Sequence, residues 1–461
     1  MNKCLILFYL LFISLNYSNN NFENSLVFNF IKSDTTKYLF LDDRIIKQTF
    51  NVKLEVGKVE KHPNNPLFTE DKEWEMRFDN LYGNVIFDKD EKIYKLWYSP
   101  FIVDSKNLIK EIDTITSNYA PPPIREMGIC YATSEDGINW KKSNLGLVRY
   151  NGNKNNNIVW RRPHGSGIFK DYSEKDPEKL YKVIYKHNQE WNWGLGNGNE
   201  GNSLAVAFSA DGLNWSDKIN IMDLPGDTHN NANWIPNLDK YVAMTRDWVD
   251  VDGKEKKQRA VIRIESNDFI KWENPKQVLV GQNFNLQTYA MPYFFYEGVY
   301  LGLVAIHDQK SDRVWTELAW SPDTINWTRI DVGNPLIPNS EIKLDYDYGC
   351  VYACAAPIIK KDKIEIFYGS SDYRHSGWRN GSFSMATLRT DGFAGYKQIN
   401  AKKKGIIITQ NIKYNNGLLK INADFNDKGS FCLLYTSDAA DEGLGVDLGG
   451  RRIIIKKGGG G

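Results

Sequence analysis

Residues 38–396 predict an all-β fold, a five-bladed β-propeller, with the start of a truncated β-sandwich at 397–431. Two internal repeats and an aromatic-rich composition carry that expectation. The first repeat is a turn box. It reads SEDGINW at 134–140, SADGLNW at 209–215, SNDFIKW at 266–272 and SPDTINW at 321–327, at intervals of 75, 57 and 55 residues. The second repeat is a strand–turn–strand unit. Apolar, aromatic strands with polar ends recur as KIYKLWYS (92–99), KLYKVIYKH (179–187), DKYVAMTRDW (239–248), GVYLGLVAIHD (298–308) and DKIEIFYGSSD (363–372). Each follows a turn rich in Asp, Lys, Asn or Gly, and each turn follows another apolar run: GNVIFD, SGIFKD, NANWIP, MPYFFY or AAPIIK. Runs bounded this way read as hairpins. A further strand, such as MGICYAT or SLAVAFS, leads into each box. Four strands per unit, repeated radially, make the blades of a propeller.

The boxes have a structural job on this reading. Their Ser and Asp side chains can bond nearby backbone N–H groups and hold the turn, while the Trp packs between neighbouring blades. The sequons at Asn214 and Asn326 fall in boxes, opposite the functional face, and a third at Asn380 falls in a strand connection. Residues 397–431, with GIIITQNIKY and GLLKINADF, read as hairpin strands outside the blade pattern.

Composition narrows the function. The chain has 461 residues, 13% of them aromatic, and a formal charge of +1, so charge gives no reason to expect nucleic acid or an anionic membrane as partner. Residues 1–18 read as a signal peptide. The apolar run from Cys4 to Leu15 is shorter than the ~18 residues of a spanning helix. The mature chain is therefore expected to be secreted, with no membrane attachment. Cys130, Cys350 and Cys354 read as buried free thiols, because the run CVYAC (350–354) spans roughly 13 Å as a strand. No His/Cys cluster has zinc spacing, so neither metal nor other cofactor is expected. Residues 432–461 resemble a translated sequencing-library adapter and are expected to be non-native.

In this fold the first strand of a blade starts on the face where its second strand ends. The second-strand ends supply His187, Glu190, Trp191, Arg246, Asp247, Trp248, His307, Asp308, Asp372, Arg374 and His375. The first-strand starts supply Asp79, Asn80, His164, Asp227, His229, Tyr289 and Asp347. Five of the six His fall in this set. A cavity of carboxylates, His, Arg and Trp suits a glycan site. Carboxylates act as acid, base or nucleophile, Arg and His bind hydroxyl or acidic groups, and Trp stacks on the sugar ring. Each residue also has a structural alternative: Arg246 and Asp247 as a salt bridge joining blades, Asp372 to His375 as a loop anchor.

The span from YLFLDDRII (38–46) to LRTDGFAGY (388–396) carries LFLDD, CYATSEDGINWKKSNLGLV, GDTHNNANW, YVAMTRDW and YGSSDYRH…SMATLRTDGF. These resemble the secreted proteins grouped as glycosyl hydrolase family 32-like, in the five-bladed propeller superfamily of invertases, levansucrases and arabinanases. The resemblance implies glycosyl cleavage or transfer by a carboxylate nucleophile or base, a second Asp and a Glu acid on early inner strands. The invertase Asn-Asp-Pro-Asn-Gly is absent, its nearest counterpart being Asp79-Asn80-Leu81-Tyr82-Gly83. The second-blade Arg-Asp-Pro is replaced around Arg162-Pro163-His164-Gly165, and Asp227 and His229 stand where Glu-Cys is expected. Fold and reaction class carry over, while fructan specificity does not.

The leading expectation is a glycoside hydrolase whose catalytic carboxyls come from Asp79, Asp227 and Asp347. Asp227 is the favoured acid or base, tuned by His229 and Arg246. Substrate-binding residues are expected to be His164, Glu190, Trp191, His229, Arg246, Asp247, His307, Asp308, Asp372, Arg374 and His375. Asp42 and Asp43 read as ties that close the ring. The alternatives are a carbohydrate-binding propeller without catalysis and a sialidase. The boxes suggest the latter, but five units and the lack of an Arg triad speak against it.

Overall fold

The computed structural model describes residues 4–8, 37–42, 44–103, 126–187, 203–250, 257–376, 378–410, 419–423, 429–433 and 453–455. The expected site residues Glu190 and Trp191, Asp43, and most of segments 1–18 and 432–461 lie outside them. Two compact units result: Lys58–Thr390, and Met1–Gly57 with Asp391–Gly461.

The larger unit is built from five successive groups of antiparallel strands, each called a sheet below, the last two joined by a parallel pairing of Val314 with Cys350. The first contains Asn84–Asp88, Ile93–Tyr98, Glu126–Ser134 and Ile158–Arg161. The second contains His164–Lys170, Tyr181–His187, Ser203–Ser209 and Ile219–Met222. The third contains Asn231–Ile235, Lys240–Asp250, Lys257–Ser266 and Trp272–Val280. In the fourth, Leu286–Thr288 and Tyr293–Tyr296 both pair with Val299–Asp308, followed by Arg313–Ser321 and Thr328–Ile330. In the fifth, Cys350–Ala353 and Ile358–Ile359 pair with Lys363–Ser371, which pairs with Gly381–Arg389. Its outer edge comes from the start of the unit: Thr387 pairs with Glu60, and Phe383 with Phe68.

Apolar clusters fill the seams between sheets and run full circle. Trp97, Ile129 and Val159 of the first sheet pack on Ile168, Val183 and Ala205 of the second. Ile184, Leu204 and Val206 pack on Ala232 and Ile262 of the third. Val242, Met244 and Val261 meet Tyr293, Val304 and Ile306 of the fourth. Ala305 and Val314 meet Cys350 and Tyr352 of the fifth. Phe367, Phe383 and Met385 return to Val85, Leu96 and Ala132 of the first. Strands buried on both faces explain why the inner runs are apolar throughout instead of alternating. Each fully buried Val, Leu, Ile or Phe contributes about 1.5–3 kcal/mol of transfer free energy.

The boxes behave as their residues dictate. Asp323 Oδ1 accepts from the N–H of Ile325 at 2.8 Å and Asn326 at 2.7 Å, and Oδ2 accepts from Asn326 Nδ2 at 2.6 Å. Asp136, Asp211 and Asp268 accept the equivalent pairs of backbone bonds. Trp140 sets its edge against Phe367 and Phe383 of the fifth sheet, and Trp215 stacks near Trp160 of the first. Burial raises the Asp323 pKa, but the Asn326 and Ile325 N–H bonds outweigh it and the net shift is downward. A depressed carboxylate stabilises the fold above its unfolded pKa of about 4 and loses that contribution as pH falls below it. Asp323→Ala is expected to cost about 1 kcal/mol at neutral pH, as loss of a helix cap does, and less near pH 3. Urea unfolding at the two pH values checks this.

In the smaller unit, Gly405–Thr409 pairs with Ile46–Phe50 and Ala394–Gln398 pairs with Val52–Val56. The strands expected to open a sandwich thus pair with residues before the propeller. Asp42 accepts from Arg44 N and Nε, both at 2.8 Å, so its role is local. Ring closure instead falls to Glu60–Lys61 and Phe68–Thr69, which run too briefly to show a strand period in the sequence.

Candidate functional site

Antiparallel pairing brings first-strand starts and second-strand ends together. His164 lies opposite Lys186, Asn231 opposite Met244, Leu286 opposite Asp308, and Cys350 opposite Ser371. All five sheets contribute to one connected polar cluster there. Asn80 Nδ2 donates to Tyr82 Oη at 2.8 Å and to Tyr289 Oη at 3.2 Å, and Asn80 Oδ1 accepts from Arg379 at 2.9 Å. The Tyr82 ring lies against His164 and His229, with centroids at 5.5 and 5.6 Å. The Tyr289 ring lies against His307, Tyr352 and His375.

Two carboxylates anchor this cluster. Asp227 Oδ1 meets His164 Nε2 at 2.7 Å, and Oδ2 meets Arg246 Nη2 at 2.7 Å. Asp79 Oδ1 meets Arg379 Nη2 at 2.6 Å and Arg77 Nη1 at 3.1 Å. Asp227 is 28% exposed and Asp79 14%, whereas Arg246 and Arg379 are buried. Burial opposes the Asp227 charge, but Arg246, Lys186 and His164 together hold the carboxyl well below its usual range. Asp227 is therefore ionised at neutral pH.

The backbone bends to present these groups. Asp79, Leu81 and Tyr82 have φ of 54°, 60° and 46°. Left-handed conformations are uncommon for such residues, and three within four positions mark a strained loop held by its hydrogen bonds. Gly165 has φ +60°, and a Cβ there would sit 1.7 Å from Thr228 O; at Gly167 it would sit 1.8 Å from Asn230 O. Only glycine lets the second sheet approach the third closely enough for His164 to reach Asp227.

Every described histidine in the cluster whose pKa shifts is pushed down by burial. His229 falls to about 3, and His307 and His375 are also lowered. These rings are neutral around pH 7. Burial raises Tyr82 well above its ordinary value, with Tyr289, Asp227 and Asp79 adding to the effect, so its hydroxyl stays protonated.

The expected residues divide. Asp79, His164, Asp227, His229, Arg246, His307 and His375 belong to the cluster. His229 bonds Asn84 Oδ1 at 3.1 Å, so the partner of Asp227 is His164 and not His229 as expected. Asp347 does not join Asp79 and Asp227: fully buried, it pairs with Lys61 Nζ at 2.6 Å and accepts from Tyr368 Oη at 3.3 Å, which ties the fifth sheet to its outer edge. Asp247 accepts from the adjacent Trp248 N–H, and Arg246 pairs with Asp227, as the leading expectation had it, and not with Asp247. Asp308 caps the turn to Ser311, accepting from its hydroxyl at 2.6 Å. Asp372 accepts from Asn380 N and Nδ2 at 2.8 and 2.7 Å, and burial raises its pKa. Arg374 is exposed, and the guanidinium that holds Asp79 is Arg379.

Sequence reading passed over Tyr82, Arg77, Lys186, Arg259, Tyr352 and Arg379. Strand parity could have found Lys186. Successive side chains face opposite ways, and His187 turns to a separate pocket of about 490 Å³ with Trp160, Trp215 and Lys218. Arg259 lies directly opposite Trp248 in the register, so recognising Trp248 could have found it.

No family model matches the chain, and no curated protein matches it. Among solved structures it is similar to an N-acetylgalactosamine deacetylase from F. plautii in complex with blood group B trisaccharide. That match has 12% identity and a TM-score of 0.47, covering 73% of this chain and 95% of that one. It is also similar to a β-1,2-mannobiose phosphorylase from Listeria innocua, at 13% identity and a TM-score of 0.47, covering 74% and 97%. Identity at this level gives no residue-by-residue correspondence.

Proposed function

We propose that this chain is a secreted glycoside hydrolase, of the family 32-like kind suggested by its motif run, acting on an oligo- or polysaccharide. The observation that carries the reading is Asp227: a partly exposed carboxylate, kept ionised by Arg246 and His164, in a cluster to which all five sheets contribute. An ionised carboxylate serves as base toward water or as nucleophile toward the anomeric carbon. It does not serve as the acid. Asp79 is equally paired, and its two arginines fix it as an electrostatic partner for positive charge developing on the sugar ring. Trp248, 38% exposed, offers a ring face for stacking.

One observation favours the alternative of a carbohydrate-binding propeller without catalysis: both Asp227 oxygens are already engaged, and Asp79 Oδ1 is shared by two arginines. Incubation with a panel of plant, algal and microbial glycans separates the two. Hydrolysis predicts reducing ends from the wild type, and a large loss of them in Asp227→Asn. Binding alone predicts retention of a glycan with no product.

The same site predicts a pH profile. His229, His307 and His375, held neutral by burial, are expected to contribute no limb to kcat/KM between roughly pH 5 and 8. A break near 6.5 that persists in His164→Asn would mean that one of these three rings titrates in the working enzyme.

A further inference from the structure

We propose that the polar cluster binds an oxyanion carried by the sugar, a uronate carboxylate or a sulfate ester, between Arg246 and Arg259 with the ring on Trp248. This deepens the glycan reading and rests on it. The two guanidinium carbons stand over the same two rings. Arg246 Cζ lies 4.9 Å from the Tyr289 centroid and 5.7 Å from that of Trp248. Arg259 Cζ lies 5.3 Å and 4.6 Å from the same rings. Register places Arg259 directly opposite Trp248, with Arg246 two residues before it on the same face.

Two like charges so placed need a counter-charge, and the described residues supply one carboxylate. Asp227 takes Arg246 Nη2 and is shared with His164. The side-chain hydrogen bond of Arg259 goes to neutral Gln287 Oε1, at 2.9 Å. Arg246 is 3% exposed, and beyond Asp227 its guanidinium meets only the neutral Tyr289 hydroxyl among the described residues, while Arg259 Nε has no hydrogen-bond partner among them. A buried guanidinium with donors unmet is costly unless a ligand meets them. Repulsion shows in Arg259 itself, whose pKa burial and Arg246 both lower. Planar guanidinium forks match the paired oxygens of carboxylate, sulfate or phosphate. The aromatic platform beside the fork argues that the oxygens arrive on a sugar, because a free anion has no use for Trp248.

Calorimetric titration of the full chain tests this, using a galacturonate oligosaccharide, a sulfated galactan, their neutral counterparts and inorganic phosphate. The expected result is that an acidic glycan binds about tenfold more tightly than its neutral counterpart, weakening as salt rises. Arg259→Gln should reduce that acidic-to-neutral ratio about tenfold, and Arg259→Lys should reduce it less. If Arg259→Gln misfolds, the Arg259→Lys ratio and the salt dependence still decide. Phosphate binding without binding of any glycan overturns the inference and assigns the two guanidiniums to a free anion. Equal affinity for acidic and neutral glycans overturns the inference and leaves the glycan reading standing. No binding of any glycan overturns both.

Discussion

Asp227→Asn is expected to lower kcat on any cleaved glycan by about 10³-fold, the scale of losing a positioned base. The substitution keeps shape and one acceptor toward Arg246 but removes the charge. KM should change less, because the neighbouring aromatic and guanidinium groups remain. The same variant has a stability signature. Arg246 is buried, and loss of its carboxylate leaves a positive charge poorly met. Asp227 is itself more than a quarter exposed, so the cost is about 2 kcal/mol, below that of a fully buried pair. The folded pKa of Asp227 is depressed, so its contribution is present above about pH 4 and disappears as pH falls below that. The stability gap between wild type and Asp227→Asn should therefore narrow in acid, and denaturation at pH 7 and pH 3 would read it. An unchanged gap would mean that the ion pair adds nothing to the fold.

Gly165→Ala should be among the most damaging small substitutions in the molecule. At φ +60° an added methyl is strained, and it would stand 1.7 Å from Thr228 O, a backbone atom with no easy retreat. Relief requires the second and third sheets to part, which also separates His164 from Asp227. The expected cost is about 3 kcal/mol or more. That corresponds to a fall in Tm of roughly 4 °C or more for a domain of this size. Activity should fall even below the new melting point. A variant with wild-type Tm would show that the close approach is relaxed in solution.

The architecture was legible because repeats wrote it several times over. Each hairpin carries its own turn residues and apolar runs, and each box carries its own Ser, Asp and Trp, so no long-range information was needed. What escaped reading was non-local. Glu60–Lys61 and Phe68–Thr69 are too short for periodicity, and their partner strand lies more than 300 residues away. Gly405–Thr409 pairs with Ile46–Phe50 for reasons that neither segment states alone.

At the site, chemistry-bearing residue types pointed to the right region and misassigned its partners. Asp227 was identifiable, but whether His164 or His229 served it depended on two glycines that bring neighbouring sheets together. Asp347 looked equivalent to Asp79 by position, yet Lys61 from the outer edge claims it. Arg374 and Arg379 share one connection, and only its folded path shows which of them reaches Asp79.

The most direct test is proton NMR of the anomeric region during incubation of the wild-type chain and Asp227→Asn with a glycan that binds. Hydrolysis through the Asp227 site requires new anomeric signals from the wild type and none, over the same period, from the variant. The first anomer to appear then distinguishes retention from inversion. Saturable binding by the folded wild type without any new anomeric signal would contradict catalysis at this site and leave a glycan-binding propeller.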